Sequence, residues 1–140
     1  MSPFVVDASV GIKWFVPELL TAQALLFRQA GHELHVPSFF EIEITNVVWK
    51  KLRRGELLRN EADDIVRQLS ALPLTRHDES PLLASALDLA DKTARTVYDC
   101  LYLALAQHLG GVVMTADERL VNSLAHTPWA RLTTWVGAIP

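Results

Sequence analysis

Three acidic residues stand where a carboxylate is costly unless something uses it. Asp7 ends the apolar run Phe4-Val5-Val6, Asp117 follows the apolar run Val112-Val113-Met114-Thr115, and Asp99 opens the nearly all-apolar stretch reaching Ala106. Ligand sites in open parallel sheets lie at the carboxyl ends of the strands, so Asp7 is expected to open an acidic site there. Each acid also has an ordinary role open to it. Asp117 can cap a helix over Glu118 to Leu124, and Asp99 can satisfy free amides at its own helix start. If the three converge, they repel and raise one another's pKa unless a cation sits among them. Oxygen ligands without His or Cys neighbours favour a hard ion, Mg2+ or Mn2+. His32, His35, His77, His108 and His126 lack metal-ligand spacing, so surface or loop roles are expected for them and zinc chemistry is disfavoured.

The elements that must position these acids follow from pattern and punctuation. Phe4 to Val6 and Val112 to Thr115 lack polar alternation, as do parallel strands buried on both faces. A helix is expected over Glu18 to Ala30, stopped by Gly31, then a short strand over Leu34 to Val36. Pro37-Ser38 should open a long helix to Arg54, ended by Gly55. Phe40, Ile44, Val47 and Val48 share one face of it, while Ile42 and Trp49 fall nearly opposite, which predicts self-association or a bound protein on the second side. Trp14 and Phe15 suit core packing. Asn60 should cap a helix to Ala71, and Leu72-Pro73-Leu74-Thr75 reads as a short edge strand. Ser80-Pro81 begins a helix with Leu82, Leu83, Ala86, Leu87 and Ala90 at core spacing. The stretch from Val97 reads as a central buried helix ended by Gly110-Gly111, and Arg131 to Trp135 as a last strand. Helices alternating with short apolar strands give an α/β fold, three layers around a mainly parallel sheet.

The chain has 140 residues, half of them apolar, and a formal net charge of -3. That suits one globular domain over 1–140 and argues against a generally basic nucleic-acid surface. A local patch exists, because Lys50, Lys51, Arg53, Arg54 and Arg59 crowd into ten residues, either as a solvated helix end or as a surface for nucleic-acid phosphates. The start Met-Ser-Pro-Phe lacks the features of a signal peptide and no run is long enough to span a bilayer, so the expected compartment is the cytoplasm. The single cysteine, Cys100, is expected to pack rather than to react.

Four segments in order resemble successive motifs of the PIN-domain family. They are Val6-Asp7-Ala8-Ser9 with Lys13-Trp14-Phe15, Glu43-Ile44-Thr45-Asn46-Val47, Tyr98-Asp99-Cys100-Leu101-Tyr102-Leu103-Ala104, and Thr115-Ala116-Asp117-Glu118-Arg119-Leu120. Within the family the chain is most similar to the VapC toxins of toxin-antitoxin pairs. The resemblance implies a three-layer α/β/α PIN-like domain acting as a metal-dependent endoribonuclease. It implies Asp7, Glu43, Asp99 and Asp117 as the catalytic and Mg2+- or Mn2+-binding acids, with Ser9, Asn46 and Thr115 supporting them. Cys100 stands where the family more often has Ala, a small change.

Periodicity alone does not choose between Glu41 and Glu43, which lie about 200° apart on a helix. The family's Glu-x-x-Asn pattern selects Glu43, as metal ligand or as the base that orients water, and turns Glu41 toward solvent or an interface. The resemblance also implies 5′-phosphate and 3′-hydroxyl products, a VapB-type antitoxin that covers the site, and a homodimer. The alternative is a catalytically silent PIN-like binding module. A phosphate-accepting Asp7 is disfavoured, since Ser9 stands where one such superfamily needs a second Asp.

Overall fold

The computed structural model describes residues 3–140, so the reading of Met1-Ser2 as carrying no leader lies outside the described residues. Five short strands form one sheet, β1 (Pro3–Val6), β2 (Glu33–Pro37), β3 (Thr75–His77), β4 (Val112–Thr115) and β5 (Thr133–Trp135), in the order β3-β2-β1-β4-β5. Every pairing is parallel, with Val5 opposite both His35 and Val113. Val5, Val6 and Val113 are fully buried and Met114 nearly so, as residues covered on both faces must be.

Among the described residues seven α-helices connect the strands: α1 (Ala8–Gly11), α2 (Thr21–Gln29), α3 (Phe40–Arg53), α4 (Arg59–Ser70), α5 (Leu83–Thr93), α6 (Val97–Leu109) and α7 (Glu118–Leu124). The first two crossovers step outward from β1 toward β3, and the later ones return past β1 to β4 and β5. Right-handed connections therefore place α1 to α4 on one face and α5 to α7 on the other, giving the expected three-layer fold. The reversal falls between β1 and β4, and their carboxyl ends open a crevice there. Among the described residues no helix is long and apolar enough to cross a membrane.

Two close approaches hold this frame. A Cβ on Gly11 would lie 2.5 Å from Phe40 Cζ, so α1 and α3 meet at a distance only glycine allows. Helix α6 ends in the left-handed Gly110 (φ 68°), and Gly111 packs against Pro3, whose carbonyl oxygen would stand 2.3 Å from an added Cβ.

Several local expectations need correction. The edge strand is Thr75–His77, with Leu72 and Leu74 buried beside it in the core. Asn60 lies inside α4, whose preceding residue Leu58 donates its amide to Glu61 instead. Helix α3 starts at Phe40, after Ser38 and the Phe39 amide have bonded to Glu79, an anion suited to a helix N-terminus. Helix α5 buries Ala86 and Leu89, with Leu82 buried in the turn just before it, while Leu83 and Leu87 are exposed; its contact stripe is rotated onto α6. His35 is a buried strand residue, its Nδ1 2.9 Å from His77 Nε2 and its Nε2 3.1 Å from Glu33 Oε1. Trp14 packs in the core and donates its indole N–H to the Ala24 carbonyl (3.0 Å).

Candidate functional site

At the crevice β1 delivers Asp7 with its backbone still in register, the Asp7 amide bonding to the Met114 carbonyl of β4 (3.1 Å). Asp7 precedes α1 but makes no side-chain cap, so its carboxylate is free to face inward. One of its oxygens accepts from Ser9 Oγ (2.6 Å) and from Thr115 Oγ1 (2.8 Å). Those hydroxyls are in turn oriented by the main chain, Ser9 Oγ accepting from the Ala116 amide and Thr115 Oγ1 from the Asp117 amide, each at 3.0 Å. Two small hydroxyls thereby lock the Asp7 rotamer and tie the ends of β1 and β4 together. Ser9 takes part in the α1 turn as well, so its structural and supporting roles coincide.

Asp117 divides its oxygens between two tasks. Oδ1 caps α7 through the amides of Arg119 (3.0 Å) and Leu120 (3.3 Å), and Oδ2 lies 3.6 Å from Arg95 Nη2. Asp99 is spared from capping because Thr96 Oγ1 accepts its amide (3.1 Å), and its carboxylate pairs with the same Arg95 nitrogen at 3.0 Å. Glu43 comes from α3 across the crevice and accepts from Tyr102 Oη of α6 at 2.5 Å. Phe39 packs edge-on against Tyr102 and Tyr98, fixing the rings at this junction. Glu41 points elsewhere, paired with Arg76, which also donates to the Leu69, Leu72 and Leu74 carbonyls.

The acids sense one another. Burial pushes the Asp7 carboxyl above its ordinary range, the bonds from Ser9 and Thr115 pull it back in part, and the charges of Asp99 and Asp117 add to the rise. Glu43 is likewise raised, first by burial, with the Tyr102 bond opposing and the charges of Asp7 and Asp99 adding. The Tyr102 hydroxyl is held in its protonated form by burial and by the Asp7 and Glu43 charges. Four acids distant in sequence thus lie within range of one another's charge near the carboxyl ends of β1 and β4.

The donor set is all hard oxygen, and burial together with the neighbouring acid charges raises the carboxyls of Asp7 and Glu43, a setting that suits a divalent ion. Asp99 and Asp117 are turned onto Arg95, and among the described residues no group of three or more His, Cys, Asp or Glu side chains is yet gathered to hold a metal ion. By chemistry the residues fit a hard cation; Arg95 already supplies one positive charge.

The remaining expected residues lie outside this pocket. Asn46 is exposed and lines, with Glu41, Ile42, Thr45 and Trp49, an open hollow of about 480 Å³ on α3. Lys50, Arg53 and Arg54 are exposed at the end of α3, Arg53 stacking over Trp49, whereas Lys51 is largely buried against Glu18 (3.4 Å). Reading the sequence missed Arg95 and Tyr102. Arg95 stands four residues before Asp99, an ion-pair spacing on a helix end, and a Tyr within a buried helix must find a partner for its hydroxyl.

A parallel α/β domain with acidic side chains at its topological switch point defines a class, and comparison identifies which. The PIN-domain model matches residues 4–124, and the chain belongs to that family. Ribonuclease VapC3 of Pyrobaculum aerophilum is 37% identical over 120 residues, covering 84% of this chain and 92% of the relative. Ribonuclease VapC3 of Mycobacterium tuberculosis is 34% identical over 119 residues, 85% of each chain. Among solved structures, a toxin-antitoxin complex from Klebsiella pneumoniae superposes with a TM-score of 0.65 at 17% identity, covering 93% of this chain and 94% of that one. A Pyrobaculum aerophilum crystal structure gives 0.69 at 24% identity, covering 97% and 85%. These two support the fold.

Proposed function

We infer that this chain is an endoribonuclease of the VapC type, hydrolysing RNA phosphodiester bonds as the toxin of a toxin-antitoxin pair. What supports the reading is the mutual influence of Asp7, Glu43, Asp99 and Asp117, two of which share Arg95, together with relatives named ribonucleases. Asp7, Asp99, Asp117 and Glu43 are the residues that would hold Mg2+ or Mn2+. Such an ion, when bound, lowers the pKa of a coordinated water and offsets charge developing on phosphate. Ser9 and Thr115 hold the Asp7 carboxylate in one rotamer. Tyr102 fixes the Glu43 carboxylate through Oε1, leaving the other oxygen to ligate or to accept a proton from attacking water.

The partners follow from the same reading: RNA, a VapB-type antitoxin that covers the acids, and a second copy of the chain. The α3 hollow with Ile42 (71% exposed) and Trp49 (50% exposed) suits protein association. Lys50, Arg53 and Arg54, exposed at the end of α3, are the candidate contacts to RNA phosphates; reversing their charge should flatten the salt dependence of RNA binding, and an unchanged slope removes them from the account. The test of the activity is cleavage-site mapping on total cellular RNA with wild-type and Asp7→Asn protein. Cuts with 5′-phosphate ends made only by wild type support a nuclease, and identical profiles for the two proteins leave a silent binding module.

A further inference from the structure

One group at the site has no place in the chemistry described so far. Arg95 sits in the three-residue link between α5 and α6, after Ala94, whose left-handed backbone (φ 57°) turns the chain back toward the crevice. Its single nitrogen Nη2 faces both Asp99 Oδ2 (3.0 Å) and Asp117 Oδ2 (3.6 Å), the same oxygens available to a metal once Asp117 Oδ1 is engaged as a helix cap. The side chain is only 25% exposed, yet its Nε is buried without a hydrogen-bond partner. A residue selected to clamp two carboxylates permanently would present its planar fork to them in paired bonds. Here one nitrogen is shared and another donor is wasted, so the contact is held by charge more than by fitted geometry and is displaceable.

Accepting the metal-dependent reading given above, we propose that Arg95 is a resident counter-ion that occupies Asp99 and Asp117 in the metal-free protein and must be displaced when a divalent ion binds. The chain itself then sets the metal concentration at which its site assembles. The same arrangement accounts for the absence of a ready-made three-carboxylate cluster among the described residues: two of the acids are turned onto the arginine.

The test is Mn2+ binding by titration calorimetry on the EDTA-stripped full chain, with thermal unfolding run in parallel, for wild type, Arg95→Gln and Arg95→Lys. Arg95→Gln should melt lower than wild type without metal, gain more from saturating Mn2+, and bind Mn2+ about three- to tenfold more tightly, the scale of losing one or two partly exposed ion pairs. Arg95→Lys, which keeps the charge but not the reach of the guanidinium, should fall between the two and serves if the glutamine variant does not fold. Affinity in these variants equal to or weaker than wild type overturns the proposal and makes Arg95 an organiser of the site. Mn2+ binding by none of the proteins, wild type included, overturns the metal reading and this inference together, so the two failures are distinguishable.

Discussion

Replacing Asp7 by Asn should stabilise the metal-free protein. Burial and the neighbouring charges of Asp99 and Asp117 raise the Asp7 carboxyl above its ordinary value of 3.8. The folded state therefore holds the proton more tightly than the unfolded chain does. Stability from this group is fully present below the unfolded value and is lost as pH rises through the folded one. Each unit of difference corresponds to about 1.4 kcal/mol. Asparagine removes the charge and keeps a carbonyl oxygen that can accept from Ser9 and Thr115, the two bonds that fix this side chain. A gain near pH 8 follows, at about 1.4 kcal/mol for each unit by which the folded value exceeds the unfolded one. For a domain of this size each kcal/mol raises Tm by about 3–5 °C. Circular-dichroism melts in EDTA at pH 5 and pH 8 would show it, with the larger gain at pH 8. A variant that melts below wild type at pH 8, or a gain equal at both pH values, refutes the claim that Asp7 is a strained, uncompensated charge.

Tyr102→Phe removes the hydrogen bond that opposes the rise of the Glu43 carboxyl, so the acid limb of the pH–activity profile should move to higher pH. Activity should fall about 10- to 100-fold, as for other groups that orient catalytic carboxylates, and overlapping profiles would contradict the role. Gly11→Ala forces a Cβ into the Phe40 ring and should cost about 1–3 kcal/mol in urea unfolding while displacing α3 and Glu43; an unchanged midpoint would show that this close approach can relax. Ile42→Asp should weaken self-association in analytical ultracentrifugation without lowering Tm, because Ile42 is exposed in the monomer; a monomeric wild type would remove the self-association account.

The parts of this fold legible in the sequence are those where burial leaves few choices. β1 and β4 read as apolar runs because helices cover both faces, and α6 reads as central because it is apolar nearly all round. The glycines Gly31, Gly55 and Gly110 mark helix ends through the left-handed backbone they adopt. Features set by distant partners were not legible. Glu79 receives the start of α3 from 40 residues away, so Pro37-Ser38 looked like the helix start. The rotation of α5 depends on α6, and the burial of His35 depends on its pairing with His77.

At the site, the strand-end acids could be read from the chain alone, whereas Glu43 needed the family pattern to separate it from Glu41. Arg76 settles where Glu41 goes, and nothing near Glu41 in sequence announces it. Asp117 shows that capping a helix leaves a carboxylate oxygen free for other work, since Oδ1 caps α7 while Oδ2 faces Arg95.

The central claim is that Asp7, Glu43, Asp99 and Asp117 share a divalent ion. Crystals soaked in Mn2+, with diffraction collected at the manganese absorption edge, address it directly. The account predicts an anomalous peak within coordination distance of oxygens from at least three of these residues, with the Arg95 side chain swung away from Asp99 and Asp117. Manganese bound elsewhere, or an empty crevice at saturating Mn2+ with Arg95 still paired to both acids, would contradict it.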